Sequence, residues 1–547
     1  MGAGYFDPAS ELKPLIHAWS LAIEEQYYLL FPFIALFLFR FGYKFLALFV
    51  FILLSVGIVL SEYAAGASSA AAYYLMPYRA WELLAGAMVA VSYPWWSPFN
   101  KVRWLSQPAA FLGFLLVMLP VFLYDSHTKF PGYSASIPVI GASLLIVFAT
   151  ASTLVGRFLS CKVMVSVGLI SYSLYLWHQP ILSLARERSL DGLSRIDLIL
   201  CLVMVLAMSY LTWKYVETPF RKKGLIGRPR LAIFVVGGGG LLIAFGVAGY
   251  FSSGFPGRYD DATYFLMSAS NDRNPRQQEC NTGGVGYRNP SEACVLGSKD
   301  NVVAVLLGDS HADSIAHPLS IEMERRGIGA KQMTYGGCPP VREVFRRGDF
   351  RCADYYHEVL KVIQDPSIKT VVLMARWSIY SEGQAFDNGE GGVEHGVDGI
   401  WVDVGVAEVD RSRSLPVRKK AIVDAFAGEV LELLSSGKRV VIVYPVPEVG
   451  WSVPEYAAKK FARTGDASVS TSYQVYLDRN LDVIMAFDGI GEREGLFRVR
   501  PHSKLCDSIV PGRCVAAVGG DVFYFDDDHL SNRGAWTFVG EIVDALE

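Results

Sequence analysis

A serine in the middle of the chain and a histidine near its end frame the available chemistry. Gly308-Asp309-Ser310-His311 follows directly on the apolar run Val302–Leu307, and Asp526-Asp527-Asp528-His529 places an aspartate and a histidine three residues apart. A serine at a strand end, a histidine to take its proton and an aspartate to orient that histidine make a nucleophile, a base and an orienting carboxylate. Such a set performs acyl transfer or ester hydrolysis through a covalent acyl-serine. In this reading Ser310 is the nucleophile, His529 the base and Asp526 the orienting group. The backbone amides of Ser310 and of Gly337, in Tyr335-Gly336-Gly337-Cys338-Pro339, would donate to the oxyanion, each worth about 3 kcal/mol in comparable sites. Taken alone, Ser310 reads as a helix N-cap and Gly336-Gly337 as a tight turn. The late Asp-x-x-His tips the balance toward chemistry. Asp527 and Asp528 read as solvated loop charges, with Asp528 able to cover for Asp526. His311 and His317 read as packing or substrate-edge residues, and no metal constellation is visible.

Positioning these groups calls for alternating strands and helices. Strand-like runs cover Val302–Leu307, Thr370–Ala375 and Arg439–Tyr444. Helical stretches cover Ser314–Arg326, Asp354–Ile363 and Lys419–Ser436. The alternation predicts a three-layer α/β domain with a mostly parallel sheet. Ligands bind such sheets beyond the strand carboxyl ends, where Ser310 lies.

The first half of the chain is different in kind. The whole sequence of 547 residues is 52% hydrophobic with a mean hydropathy of +0.29, but apolar runs of spanning length stop at about Phe251. Eight segments, each needing roughly 20 residues to span, centre near Leu30, Phe51, Leu84, Leu115, Leu144, Tyr175, Val205 and Ile243. The expected division is a polytopic helical membrane domain (1–251), a linker and lead-in region (252–300) and an α/β catalytic domain (301–547). The net charge of −3, with no basic patch of interleaved aromatics, excludes a nucleic-acid partner.

Charge placement orients the membrane half. Arg40 and Lys44, Lys101 and Arg103, Arg157 and Lys162, and the group Arg221, Lys222, Lys223, Arg228 and Arg230 follow odd-numbered segments. Arg186 and Arg188, with Glu187 between them, are the exception. Positive loops stay cytoplasmic, so the carboxyl half is expected outside the cytoplasm. The same counting puts Met1 outside, with Gly2–Ile16 a loop and no signal peptide, so further membrane segments are expected upstream.

Cysteine usage leads to the same compartment independently. Cys161 and Cys201 belong to apolar runs. Cys280, Cys294, Cys338, Cys352, Cys506 and Cys514 all lie in the second half, where an even number in loop-like sequence indicates disulfides and an oxidising environment. Neighbour pairing (Cys280 with Cys294, Cys338 with Cys352, Cys506 with Cys514) is the expectation among the fifteen connectivities six cysteines allow. Paired zinc ligands are the alternative, without a Cys-x-x-Cys spacing to support it.

Several polar groups lie at membrane depth, where they are costly unless they face a partner or a wet cavity. Glu24 and Glu25 adjoin in Trp19-Ser20-Leu21-Ala22-Ile23-Glu24-Glu25-Gln26-Tyr27-Tyr28. Arg79 and Glu82 share a helical face in Tyr78-Arg79-Ala80-Trp81-Glu82-Leu83-Leu84, a structural ion pair in the plainer reading. Tyr175 and His178 belong to Ser171-Tyr172-Ser173-Leu174-Tyr175-Leu176-Trp177-His178-Gln179-Pro180, where His178 alternatively reads as an interfacial histidine.

These three blocks, in this order, resemble the acyltransferase-3 family of integral membrane acyltransferases, and the Gly-Asp-Ser-His and Asp-x-x-His blocks resemble the SGNH hydrolase fold. The combination is similar to bacterial fusions that O-acetylate surface polysaccharides such as lipopolysaccharide O-antigen. The resemblance implies acetyl-CoA as acyl donor, no metal, membrane lipid as surroundings, and a surface polysaccharide or lipid-linked glycan as acceptor. It also implies a multi-pass protein of the bacterial inner membrane with its carboxyl-terminal domain in the periplasm. Two departures stand out. The family's membrane domain begins with further helices, the first carrying an arginine and a histidine that engage the donor; His17, in the loop before Trp19, does not replace them. The Gly-x-Asn block that supplies an oxyanion donor in SGNH enzymes is here Arg376-Trp377-Ser378. A membrane-anchored esterase that deacetylates glycans is the alternative, and a transporter or flippase with a glycan-binding domain is a third class.

Overall fold

The structure is a computed structural model describing residues 12–67, 69–125, 128–190, 192–222, 227–282, 287–342, 344–346, 351–394, 402–404 and 414–547. The first eleven residues, which hold most of the expected Gly2–Ile16 loop, and Lys223 lie outside these. The chain divides into two compact units, Met1–Leu242 and Ile243–Glu547.

All eight apolar segments are helices: α1 (Trp19–Phe39), α2 (Tyr43–Ala67), α3 (Met76–Val91), α4 (Arg103–Leu123), α5 (Ser136–Phe148), α6 (Lys162–Arg188), α7 (Arg195–Thr212) and α8 (Arg228–Phe251). Among the described residues, five helical stretches are long and apolar enough to cross a membrane: Ile16–Phe39, Tyr43–Gly66, Arg103–Leu123, Arg195–Arg221 and Leu231–Phe251. Helices α3 and α5 are shorter, with 16 and 13 residues. Helix α6 has 27 residues and so has the length, but Lys162, Arg186, Arg188 and the polar Ser171–Pro180 block dilute its apolar character.

In the second unit a seven-stranded sheet forms from β1 (Asn281–Thr282), β2 (Cys294–Gly297), β3 (Val302–Gly308), β4 (Gly329–Tyr335), β5 (Thr370–Met374), β6 (Arg439–Val443) and β7 (Leu496–Val499). Its order is β1-β4-β3-β5-β6-β7, all parallel, with β2 antiparallel on β4. The strands read as continuous apolar runs because both faces are covered. Ala304, Leu306, Val372, Met374, Val441 and Val443 pack on one side, and Val305, Leu307, Val371, Leu373, Val440 and Ile442 on the other.

The first side is covered by α9 (Asp261–Ser268), α10 (Ser310–Arg325), α14 (Val453–Thr464) and α16 (Val539–Asp544). The second is covered by α11 (Arg351–Ile363), α12 (Trp377–Glu382), α13 (Leu415–Ser435) and α15 (Tyr473–Gly489). Residues 252–300, expected as a linker and lead-in region, supply β1, β2 and α9, and Leu266 of α9 is buried in the core.

Strand β3 leads through α10 to β4 on one side, and the chain then returns through α11 to β5 on the other side of β3. The sheet order thus reverses at β3. A doubly wound sheet opens a crevice at such a switch point, and Ser310 stands at its lip.

Candidate active site

The turn carrying Ser310 is fixed by its neighbours. A Cβ on Gly308 would stand 1.8 Å from the Met374 carbonyl oxygen, so β3 and β5 come together here only around a glycine. Asp309, not Ser310, is the N-cap of α10: its side chain accepts from the His311 N–H at 2.8 Å. Its other oxygen accepts from the Arg376 N–H at 2.9 Å and the Tyr380 hydroxyl at 2.7 Å, tying the turn to the end of β5. Ser310 is the first helical residue, so its N–H has no intrahelical acceptor and adds to the positive end of the helix.

His529 comes from a tight hairpin. Tyr524 and Leu530 pair across it, and the Phe525 N–H donates to the His529 carbonyl at 3.1 Å. Inside, one oxygen of Asp526 accepts the N–H of Asp528 at 3.1 Å and of His529 at 2.7 Å. The second Asp526 oxygen lies 2.9 Å from His529 Nδ1, and His529 Nε2 lies 2.8 Å from Ser310 Oγ. The hairpin is anchored to the loop after β6, where the N–H groups of Val449 and Val453 donate to the carbonyls of Asp527 and Asp526. Nucleophile, base and carboxylate, 219 residues apart at the widest, are therefore in hydrogen-bonded sequence.

The two remaining aspartates are not the solvated loop charges expected. Asp528 is buried, because its carboxylate meets His529 Nδ1 at 2.7 Å, Arg376 Nη1 at 2.9 Å and His311 Nε2 at 3.1 Å. Burial alone would raise its pKa; Arg376, His529 and His311 outweigh that and hold it well below the carboxylate range. Asp527 is half-buried, and burial with the charges of Asp528, Asp526 and Glu394 pushes it up to about 7. His529 moves the other way from a buried histidine: burial would lower its pKa, but Asp528 and Asp526 raise it well above the ordinary value. His311 is buried with its ring 4.6 Å from that of His529.

Arg376 stands where the Gly-x-Asn block of SGNH enzymes would place an oxyanion asparagine. Its guanidinium turns to Glu394 (2.6 Å from each terminal nitrogen), Glu448 (2.8 Å from Nε, 2.5 Å from Nη2) and Asp528. Glu448 also accepts from Arg479 Nε at 2.9 Å and from the Ser378 hydroxyl at 3.0 Å. Burial would raise Glu448, but Arg479 and Arg376 together bring it to about 2. Nothing in the sequence joins these residues except Arg-Trp-Ser at a strand end.

Gly337 lies in a turn closed by the Cys338 N–H on the Tyr335 carbonyl at 2.9 Å, with φ +71° at Gly337. Thr334 registers with Gly308 across β4 and β3, so this turn leaves the sheet beside the Ser310 turn. The disulfide Cys338–Cys352 ties it to α11. The others are Cys280–Cys294 and Cys506–Cys514, giving the neighbour pairing throughout.

In the first unit the polar residues gather in two groups. Arg79 pairs with Glu82 at 2.9 Å, and its guanidinium carbon lies 5.1 Å from the Trp19 ring, 5.3 Å from Tyr73 and 5.2 Å from Phe130. The Tyr175 hydroxyl donates to the His17 carbonyl at 2.5 Å and lies 2.6 Å from Ser20 Oγ. His178 Nδ1 lies 2.6 Å from the Tyr175 carbonyl. His17, in the segment before Trp19, is buried with its ring 5.0 Å from those of both Tyr175 and His178. Ser173 donates to Glu217 on a π-turn, Trp213–Glu217. Glu24 is half-buried and Glu25 exposed; neither joins these groups.

Comparison with known proteins matches both halves. Residues 2–214 match the family model described as an acyltransferase domain, and residues 279–544 match that of the SGNH domain fused to AT3 domains. O-acetyltransferase OatA of Staphylococcus aureus (strain NCTC 8325 / PS 47) is 31% identical over 227 residues, 39% of this chain and 37% of that protein. OatA of strain COL gives the same figures. The chain thus aligns with little more than a third of these relatives' length. Among solved structures, the periplasmic domain of Salmonella ser. Paratyphi A lipopolysaccharide acetyltransferase aligns with TM-score 0.36 and 15% identity, over 53% of this chain and 98% of that one.

Proposed function

We propose that the chain, which matches an acyltransferase domain over residues 2–214 and an SGNH domain of the kind fused to AT3 domains over 279–544, is an O-acyltransferase, with acetyl the group moved. The membrane unit takes the acyl group from cytoplasmic acetyl-CoA and delivers it across the bacterial inner membrane to the α/β unit on the periplasmic side. The acceptor is a hydroxyl of a cell-surface polysaccharide or lipid-linked glycan, with lipopolysaccharide O-antigen the leading candidate. The positive charges after odd-numbered segments and the disulfides support that orientation.

The observation that carries the reading is Ser310 Oγ at 2.8 Å from His529 Nε2, with carboxylates on the far ring nitrogen. His529 accepts the serine proton as Oγ attacks the acyl carbonyl, then returns it to the departing carrier, leaving an acyl ester on Ser310. The acceptor hydroxyl next gives its proton to Nε2 and attacks the ester, and Ser310 regains its proton as it leaves. The Ser310 and Gly337 amides would face the oxyanion in both steps. Arg376 contributes no side-chain donor there, since its guanidinium is committed to carboxylates.

The test is the O-acetyl content of surface polysaccharide by proton NMR, in a deletion strain given the chain, its Ser310→Ala variant or an empty vector. Acetylation restored by the intact serine alone is expected. Equal restoration by Ser310→Ala would overturn the reading, and loss of acetyl groups on expression would favour the esterase.

A further inference from the structure

We propose that Asp528, held by Arg376, is the positioning carboxylate that sets the working orientation of His529, and that Asp526 chiefly builds the turn. This rests on the reading of Ser310 and His529 as nucleophile and base.

Both carboxylates reach Nδ1, Asp528 at 2.7 Å and Asp526 at 2.9 Å. A single N–H cannot serve both equally. The Asp528 side chain is 6% exposed and that of Asp526 35%, and a charge interaction weakens with solvent access. Asp526 also has a second task, since one oxygen accepts two backbone N–H groups of the hairpin. Asp528 is fixed from outside the hairpin, by Arg376 from the end of β5 and His311 from α10. Arg376 is itself gripped by Glu394 and Glu448, and Glu448 by Arg479. A guanidinium presents a planar fork of donors that an ammonium lacks, which suits it to span three carboxylates.

The charges are arranged for the imidazolium. Asp528, Glu394 and Glu448 carry three negative charges against two on Arg376 and Arg479. The surplus faces His529, where a positive charge forms as Ser310 gives up its proton. The titratable groups around His529 are Asp526, Asp527 and Asp528 on its own hairpin, His311 and Asp313 on α10, and Arg376.

The experiment uses the full chain in detergent with p-nitrophenyl acetate as acyl donor, reading p-nitrophenol release against pH. Release abolished in Ser310→Ala validates the underlying reading; retained release would sink that reading and this inference with it. Given loss in Ser310→Ala, Asp528→Asn is expected to lower kcat about ten-thousandfold with KM little changed, and to move the acid limb to lower pH. Asp528→Glu should recover part of kcat. Asp526→Asn is expected to lose less than about tenfold and to move the acid limb down by less than Asp528→Asn does. The comparison survives if Asp528→Asn does not fold, because Asp526→Asn leaves the buried cluster intact. A folded Asp526→Asn with the larger loss and the larger shift of the limb would overturn the proposal.

Discussion

Gly308 and Met374 touch where the sheet changes direction: a Cβ on the glycine would stand 1.8 Å from the methionine carbonyl oxygen. Backbone, not a flexible side chain, is the obstacle, so relief requires β3 and β5 to part. Asp309 bridges the same two strands through the Arg376 N–H. Gly308→Ala is therefore expected to cost about 3 kcal/mol of stability and to abolish acyl transfer by moving Ser310 off His529. Thermal melting and p-nitrophenol release check this. A variant with native melting and native release would refute the account of the turn.

The pH dependence follows from His529. Its pKa is raised because Asp528 and Asp526 outweigh the effect of burial. A base works only unprotonated, and the neutral fraction falls as pH drops through the raised value. The acid limb of ester cleavage is therefore expected above pH ~6.5, the ordinary histidine value. Stability runs the opposite way: the contribution of the paired imidazolium is full below pH ~6.5 and is lost as pH rises through the folded value. An acid limb at or below the ordinary value would count against two carboxylates acting on one ring.

The disulfides should separate by role. Cys338–Cys352 closes a loop with sequence separation 14 and begins one residue after Gly337. Replacing both cysteines by serine is expected to remove about 3 kcal/mol and to lower kcat, because the turn bearing the Gly337 amide loosens. Replacing Cys506 and Cys514, which close a loop with separation 8, should lower melting and leave kcat nearly unchanged. The same kcat for both double variants, measured well below their melting points, would remove Gly337 from the oxyanion assignment.

The strands β3, β5 and β6 were legible because a sheet covered on both faces writes apolar runs. Strand β4 was not, since Lys331, Gln332 and Thr334 interrupt Gly329–Tyr335. Gln332 is nevertheless buried, where it donates to Asp313 at 2.8 Å and to Thr334 at 3.1 Å. Ser310, Asp526 and His529 were legible from spacing within short blocks. The cluster of Arg376, Glu394, Glu448 and Arg479 was not. Charged residues default to the surface, and these come from separate segments joined only by folding. Asp528 was misjudged for the same reason: its cation arrives from another strand.

The pairing of Arg79 with Glu82 yields the last expectation. The two sit on one face of α3 with the guanidinium among Trp19, Tyr73 and Phe130. Removing one member of a shielded pair leaves an uncompensated charge, costing about 3 kcal/mol or more, while removing both is far milder. Arg79→Ala alone should therefore lower the amount of protein in the membrane fraction, and the double change Arg79→Ala with Glu82→Ala should restore it. Immunoblots of membranes measure the amount, and glycan O-acetyl content measures function. If the pair is structural, O-acetylation per molecule returns with the protein. Restored protein without O-acetylation would instead put Arg79 or Glu82 in the path of the acyl group. Equal depletion of the single and double variants would mean that the aromatic contacts, and not the ion pair, hold this helix.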